Sequence, residues 1–200
     1  MANAPFQYPS KVAFTGMLKT AQHGELVAKY LLNKEIPFAF KDKKNGYGFL
    51  IGEIGKALHL SAESITLIGS ARIGYSLDPN RFGEPFSAKS DLDFVIVDSV
   101  LFDAAWLELL GLGARLARLG REVQRRVADH RTNNIYWGYI EPGYLSNAIS
   151  LYRTWFPLFA GLVQYTSFAG GGISGRLYRT WDHVRSHQLY SLAEIRKGLA

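Results

Sequence analysis

The sequence contains no cysteine among its 200 residues. That excludes a disulfide framework and any cysteine-ligated zinc or iron–sulfur centre, and it fits a reducing compartment, so a cytoplasmic location is expected. Met1 to Ser10 shows no basic stretch followed by an apolar run, so no secretory leader is expected either. Charge is sparse, at 20% of residues against 48% apolar and 14% aromatic, which leaves too much material to bury for a disordered chain. A long uninterrupted apolar run is missing as well. The uncharged stretch 154–175 is broken by Pro157, Gly161, Gln164, Thr166, Ser167 and a glycine cluster, whereas a membrane helix needs about 20 apolar residues in a row. It reads as a buried helix followed by a glycine-rich loop, and no membrane association is expected.

The second half is short of acids. Residues 101–200 hold 12 basic and 7 acidic side chains, while residues 1–100 hold 11 and 10. Eleven of those 12 are arginine, against nine lysines and two arginines in the first half. Arginine presents a planar fork suited to phosphate and carboxylate, so the positive half faces an anionic partner in this reading.

Hydrophobic periodicity divides the chain into an extension over 1–48, a core over 49–143 and a helical segment over 144–200. The extension carries one helix over 18–32 and a turn-rich stretch over 41–46. Within the core, 49–60 is an amphipathic helix, Ile65–Ile68 a buried strand, and Leu92–Val97 the clearest strand of the chain. A long helix over 101–119, continuing toward 128, and a strand over 134–140 follow. Helices are expected over 144–159 and 189–199, the latter opened by Ser191 and Glu194 as a capping box. Strands interleaved with helices give a mixed α/β domain with a small sheet.

The chemistry concentrates where Gly69-Ser70 ends one strand and Ser90-Asp91-Leu92-Asp93 begins the next. Side chains alternate along a strand, so Asp91 and Asp93 project from one face. Two carboxylates so close repel, and keeping both ionised favours a bound divalent cation; magnesium, which keeps several waters and accepts phosphate oxygens, suits such a partial ligand set. Glycine at the turn lets a phosphate approach the main chain, and backbone amides at the entry of the helix over 71–75 favour an anion. Arg72 either contacts a phosphate or lies at the surface.

A strand ending in Leu67-Ile68-Gly69-Ser70, a short helix, and then Ser90-Asp91-Leu92-Asp93 entering the apolar strand Phe94-Val95-Ile96-Val97 resembles the DNA polymerase beta type nucleotidyltransferase superfamily. The resemblance spans about 49–141 and is nearest to small bacterial stand-alone members, including those of toxin–antitoxin and antiphage systems. It implies a mixed sheet, up to two magnesium ions on Asp91 and Asp93, a nucleoside triphosphate held by Gly69, Ser70, Arg72 and Ser90, and transfer of a nucleoside monophosphate to a protein, RNA or nucleotide. Two metals steady the attacking and leaving oxygens of such an in-line transfer. The sequence departs from the family in a longer connection over 77–89, a lid or a plain insertion, and in its third carboxylate. The family places one on a neighbouring strand, and here only Glu141, beside Pro142, offers itself. The alternative is a degenerate member that binds and regulates within a larger hetero-complex.

Weaker patterns are set aside. Gly170 to Leu177 has the glycine spacing of a P-loop, but Arg176 stands where its lysine belongs and Leu177 where a hydroxyl must meet the metal; a flexible hinge is expected instead. His183 and His187 are four apart, yet lack the glutamate and third ligand of a zinc site. Arg115, Arg118, Arg121 and Arg125 fall at helical spacing with Arg126 and Arg131 beyond, and only Glu122 and Asp129 lie among them. On a continuous helix they form one stripe for an acidic or phosphate-bearing partner, protein or nucleic acid.

Overall fold

The computed structural model describes residues 6–166 and 171–199, with the side chain of Lys44 left out. The chain opens with α1 (Lys11–Thr20), capped by Ser10, whose hydroxyl accepts the Ala13 N–H at 3.2 Å. Extended backbone at Ala21 ends it, and α2 (His23–Leu26) continues into a π turn over Val27–Leu31. This break replaces the single helix expected over 18–32, because it lets Phe14 and Leu18 face Leu26, Val27 and Tyr30 in one apolar cluster. Next comes α3 (Lys44–Leu58), which begins within the turn-rich stretch and ends at His59 in the left-handed conformation.

Among the described residues, four short strands follow, interleaved with helices. They are β1 (Ile65–Ile68), α4 (Ser70–Ile73), β2 (Leu92–Val97), α5 (Ser99–Leu110), α6 (Arg121–Asp129), β3 (Tyr139–Ile140), α7 (Tyr152–Leu162), β4 (Ile173–Tyr178) and α8 (Trp181–Gly198). The sheet order is β1-β2-β4-β3, with β2 and β4 parallel and both outer pairs antiparallel. This is the mixed α/β fold with a small sheet. Asp98 turns strand into helix after β2, since its carboxylate accepts the Leu101 N–H at 2.7 Å.

The two faces of the sheet have different neighbours. Leu92, Phe94 and Ile96 point into the main core with residues of α3, α5 and α7, while Val95, Ile68 and Tyr178 pack on Val184 of α8. Gly175 brings α7 close: a Cβ there would strike the rings of Phe159 and Trp155. The extension closes on α8 through Leu192 and Ile195 and on the start of the core through Ile73 and Tyr75.

Several expected elements are corrected. The helix over 101–119 stops at Leu110, and a 3₁₀ turn over Gly113–Arg118 precedes α6, because Gly111 and Gly113 (φ 44°) interrupt it. The strand over 134–140 shrinks to two residues, since the chain stays helical through a π turn at His130–Asn134 until Gly138 (φ 69°) redirects it. The helix over 144–159 starts only at Tyr152, after 3₁₀ turns at Pro142–Tyr144 and Ser146–Ala148. Ser191 lies within α8, donating to the His187 carbonyl at 3.2 Å, so the helix is capped by Thr180 instead. Of the expected glycine-rich hinge, Ile173 to Leu177 belong to β4, Gly171 and Gly172 lead into it, and Gly170 lies outside the described residues.

Candidate functional site

Register brings the glycine turn and the carboxylates together. Ile68, the last residue of β1, lies opposite Asp93 of β2, so the chain turns at Gly69 beside that carboxylate. Gly69 sits at φ 69° and ψ −153°, a region that only glycine occupies without strain. A Cβ there would also lie 3.3 Å from Asp93 Oδ2. Gly69→Ala should therefore lower stability by about 1–3 kcal/mol and weaken any ligand of the turn, as paired thermal melts and binding titrations would show; an unchanged melting point would contradict the strained turn.

Asp91 and Asp93 share the face of β2 that looks toward α8, Asp91 exposed and Asp93 half-buried. Across from Asp93 on β4 is Ser174, whose hydroxyl donates to Asp93 Oδ1 at 2.8 Å. Burial pushes the Asp93 carboxyl above the usual range, the Asp91 charge adds to the rise, and Arg176 and the Ser174 hydrogen bond oppose it. A cation at this point relieves both the burial and the repulsion.

The carboxylates line a polar cleft of about 250 Å³ together with Gly69, Ser70 and Arg176. Gln188 and Ser191 of α8 form its far wall. Asp78 and Arg81, from the long connection over 77–89, close its mouth. That connection is folded: Ser76 donates to the Glu84 carbonyl at 2.8 Å, Phe86 to Gly74 at 2.9 Å, and Arg81 pairs with Asp78 at 3.5 Å.

Glu141 lies at the end of β3 and is engaged elsewhere. Its Oε1 accepts from Arg176 Nε at 2.9 Å and its Oε2 from Asn134 Nδ2 at 3.5 Å, while its backbone N–H donates to His130 Nε2 at 3.1 Å. β2 lies between β1 and β4; on the carboxylate face β1 carries Ile68 opposite Asp93 and Thr66 opposite Val95, and β4 carries Ser174 opposite Asp93 and Arg176 opposite Val95. A hydroxyl and a guanidinium thus occupy the β4 positions. Among the described residues no three acids or histidines gather closely enough to hold a metal. The donor set at Asp91 and Asp93 consists of hard oxygens on one face, which fits one divalent cation completed by water and phosphate oxygens.

Arg176 is the charge around which these groups are arranged. Burial works against its cation, but Tyr178, Glu141 and Asp93 more than offset that, and its pKa is raised. Sequence reasoning passed over Arg176 and Ser174 because the glycines suggested a loop. The period-two pattern Ile173, Gly175, Leu177 inward and Ser174, Arg176 outward was the available signal.

Other candidate residues lie apart. Arg72 turns away from the cleft: it is buried, and its guanidinium donates to the Glu35 carbonyl at 2.9 Å and to Asn33, tying the amino-terminal segment to the core. Ser90 accepts the Ser87 N–H at 3.0 Å and closes the turn before Asp91, outside the cleft wall. His187 is stacked between Trp137 and Tyr139, with Nδ1 2.6 Å from the Tyr178 hydroxyl, and burial with Arg176 pushes it down to about 4. His183 Nδ1 lies 2.7 Å from the Thr180 hydroxyl, so the two histidines serve packing and capping.

The arginine stripe is split by the break between α5 and α6. Arg126 pairs with Glu122 at 2.7 Å and lies over the Tyr144 ring at 4.4 Å, Arg125 reaches Asp129 at 3.8 Å, and Arg131 donates to the Leu109 carbonyl. Arg115, Arg118 and Arg121 are exposed and form no ion pair among the described residues. No helix among those residues is long and apolar enough to cross a membrane. Comparison of the chain with known protein families, with curated proteins and with solved structures finds no match.

Proposed function

We propose that this chain binds a nucleoside triphosphate with a magnesium ion in the cleft between Gly69-Ser70 and Asp91/Asp93, and that it acts as a binding or regulatory subunit of nucleotidyltransferase type. Asp91 and Asp93 would hold the cation, and the glycine turn would carry the phosphates. The cation's chemistry there is to neutralise phosphate charge and fix its geometry. One observation carries the preference for binding over transfer: the β4 positions beside Asp93 are Ser174 and Arg176, and Glu141 is tied to that arginine. Of the other carboxylates near the cleft, Glu141 is tied to Arg176 and Asp78, in the cleft lining, is paired with Arg81 at 3.5 Å, while the Arg176 guanidinium adds positive charge beside the phosphates. A cytoplasmic setting, where NTP and magnesium occur together, belongs to this reading.

Transfer of a nucleoside monophosphate is the second reading, favoured by the cost of holding Asp93 half-buried beside Asp91, since such perturbed acids gather at catalytic sites. Incubation with α-labelled ATP or GTP and magnesium, alone and with RNA or protein acceptors, separates the two. Binding without covalent label is the expected outcome. Label transferred by the wild type and lost in Asp91→Asn/Asp93→Asn establishes transfer instead. Glu141→Gln should then slow it by about 10²–10⁴-fold if Glu141 is the base, and a loss below about tenfold removes that role.

A further inference from the structure

The sheet face opposite the cleft carries a feature that nucleotide binding does not use. α5 is apolar on almost every side, yet it covers the core with one face only: Phe102, Ala105 and Leu109 are buried, while Val100, Leu107 and Leu110 are 75%, 65% and 55% exposed. With Ala104 they fall at intervals of three and four residues along the outer side of the helix, a row interrupted by Asp103, which lies three residues after Val100 and four before Leu107 and is paired with Arg179 at 2.9 Å. A helix apolar all round is ordinarily enclosed. In the segment that follows its end, Arg115 and Arg118 of the 3₁₀ turn and Arg121 at the start of α6 are exposed without an ion-pair partner among the described residues.

We infer that the outer face of α5, with the three arginines after it, docks an amphipathic segment of a partner protein whose apolar residues lie along Val100, Ala104, Leu107 and Leu110 and whose carboxylates meet Arg115, Arg118 and Arg121. Charge complementarity selects this occupant. The apolar centre of the surface gives nucleic acid nothing to contact. An anionic membrane is matched by basic residues along the flanks of a helix; α5 itself carries no basic residue and two acids, Asp103 and Glu108, and the arginines all follow its carboxyl end in the chain. A second copy of the chain cannot bring free acids from its own α5, because Asp103 is paired with Arg179 at 2.9 Å, Glu108 with the Ser150 hydroxyl and N–H, and Asp98 with the Leu101 N–H.

The test uses the full chain and a fluorescent helical peptide of about 16 residues with leucines at i, i+4, i+7 and i+11 and glutamates at one end, beside the same peptide with lysines for glutamates. Anisotropy at low and high salt is followed for wild type, Leu107→Ser/Leu110→Ser and Arg115→Glu/Arg118→Glu. Saturable binding of the acidic peptide, weakened at least about tenfold by either double substitution and by salt, with no binding of the lysine peptide, supports the inference. It is overturned if the acidic peptide fails to bind, if both peptides bind alike, or if the substitutions leave binding unchanged. Tighter binding of a short RNA or of phosphatidylserine vesicles through the same residues, or a dimer by sedimentation that Leu107→Ser/Leu110→Ser dissolves, equally overturns it. Matching melting points of the variants and wild type exclude loss of fold as the cause.

Discussion

Replacing Asp91 and Asp93 together by asparagine should abolish magnesium-dependent nucleotide binding and, without magnesium, leave a protein that melts slightly higher than the wild type. Each charge-assisted interaction that the substitution removes is worth about 1.5–3 kcal/mol, so two remove about 10²–10⁴-fold in affinity. The stability gain follows from the sign of the Asp93 shift. Burial and Asp91 raise its pKa in the folded state, so the stability it contributes is full below the ordinary carboxylate pKa and is lost as pH rises through the raised value. Asparagine does not ionise and escapes that loss, so the gain should appear at neutral pH and vanish near pH 3. In a chain of this size each 1 kcal/mol of such a gain amounts to about 2–4 °C. Thermal melts at both pH values, with and without magnesium, check it; a variant that melts well below wild type at neutral pH would show that the carboxylates stabilise the fold rather than await a cation.

Removing the Arg176 charge should have the opposite effect. In Arg176→Met, Glu141 loses the partner at 2.9 Å and Asp93 loses the cation that opposes its burial. Breaking a buried pair costs about 3–5 kcal/mol. The lower end applies because the Arg176 side chain keeps 33% of its exposure, which corresponds to a fall in melting temperature on the order of 10 °C. The loss should be largest at neutral pH and shrink as acid neutralises Asp93, whose carboxyl burial holds above the usual range. Adding Glu141→Leu should recover much of it, since the orphaned charge is then gone. If Arg176→Met melts like the wild type, Arg176 is not the centre of this charge arrangement.

Much of the cleft was legible in the sequence because its information is local. An apolar strand ending in Gly-Ser and another opening on Asp-x-Asp state their own side-chain directions, and antiparallel pairing then places Gly69 beside Asp93. The strand between β2 and β3 was not legible. Gly171, Gly172 and Gly175 mask its alternation, yet Gly175 is glycine because Phe159 and Trp155 lie against it, a reason that exists only in three dimensions. With β4 unseen, Asn134 to Ile140 looked like the neighbour of β2, and Glu141 like the acid that such a neighbour carries. Arg72 misled in a similar way: its place next to the turn suggested phosphate, while its partners, Asn33 and Glu35, are distant in sequence. The arginine stripe depended on helical continuity, which the extended backbone at Leu119 and Gly120 breaks between Arg118 and Arg121, and the exposed side of α5 could not be told from a buried one by composition.

The central claim is that Gly69-Ser70 and Asp91/Asp93 form one site for a metal-bound nucleoside triphosphate. Calorimetric titration of ATP and of GTP into the wild-type chain, first with magnesium and then with EDTA, tests it most directly. The expected result is saturable binding of at least one of them at about one nucleotide per chain, present with magnesium and lost with EDTA. Binding of equal strength in EDTA, or no binding of either nucleotide with magnesium, would contradict it.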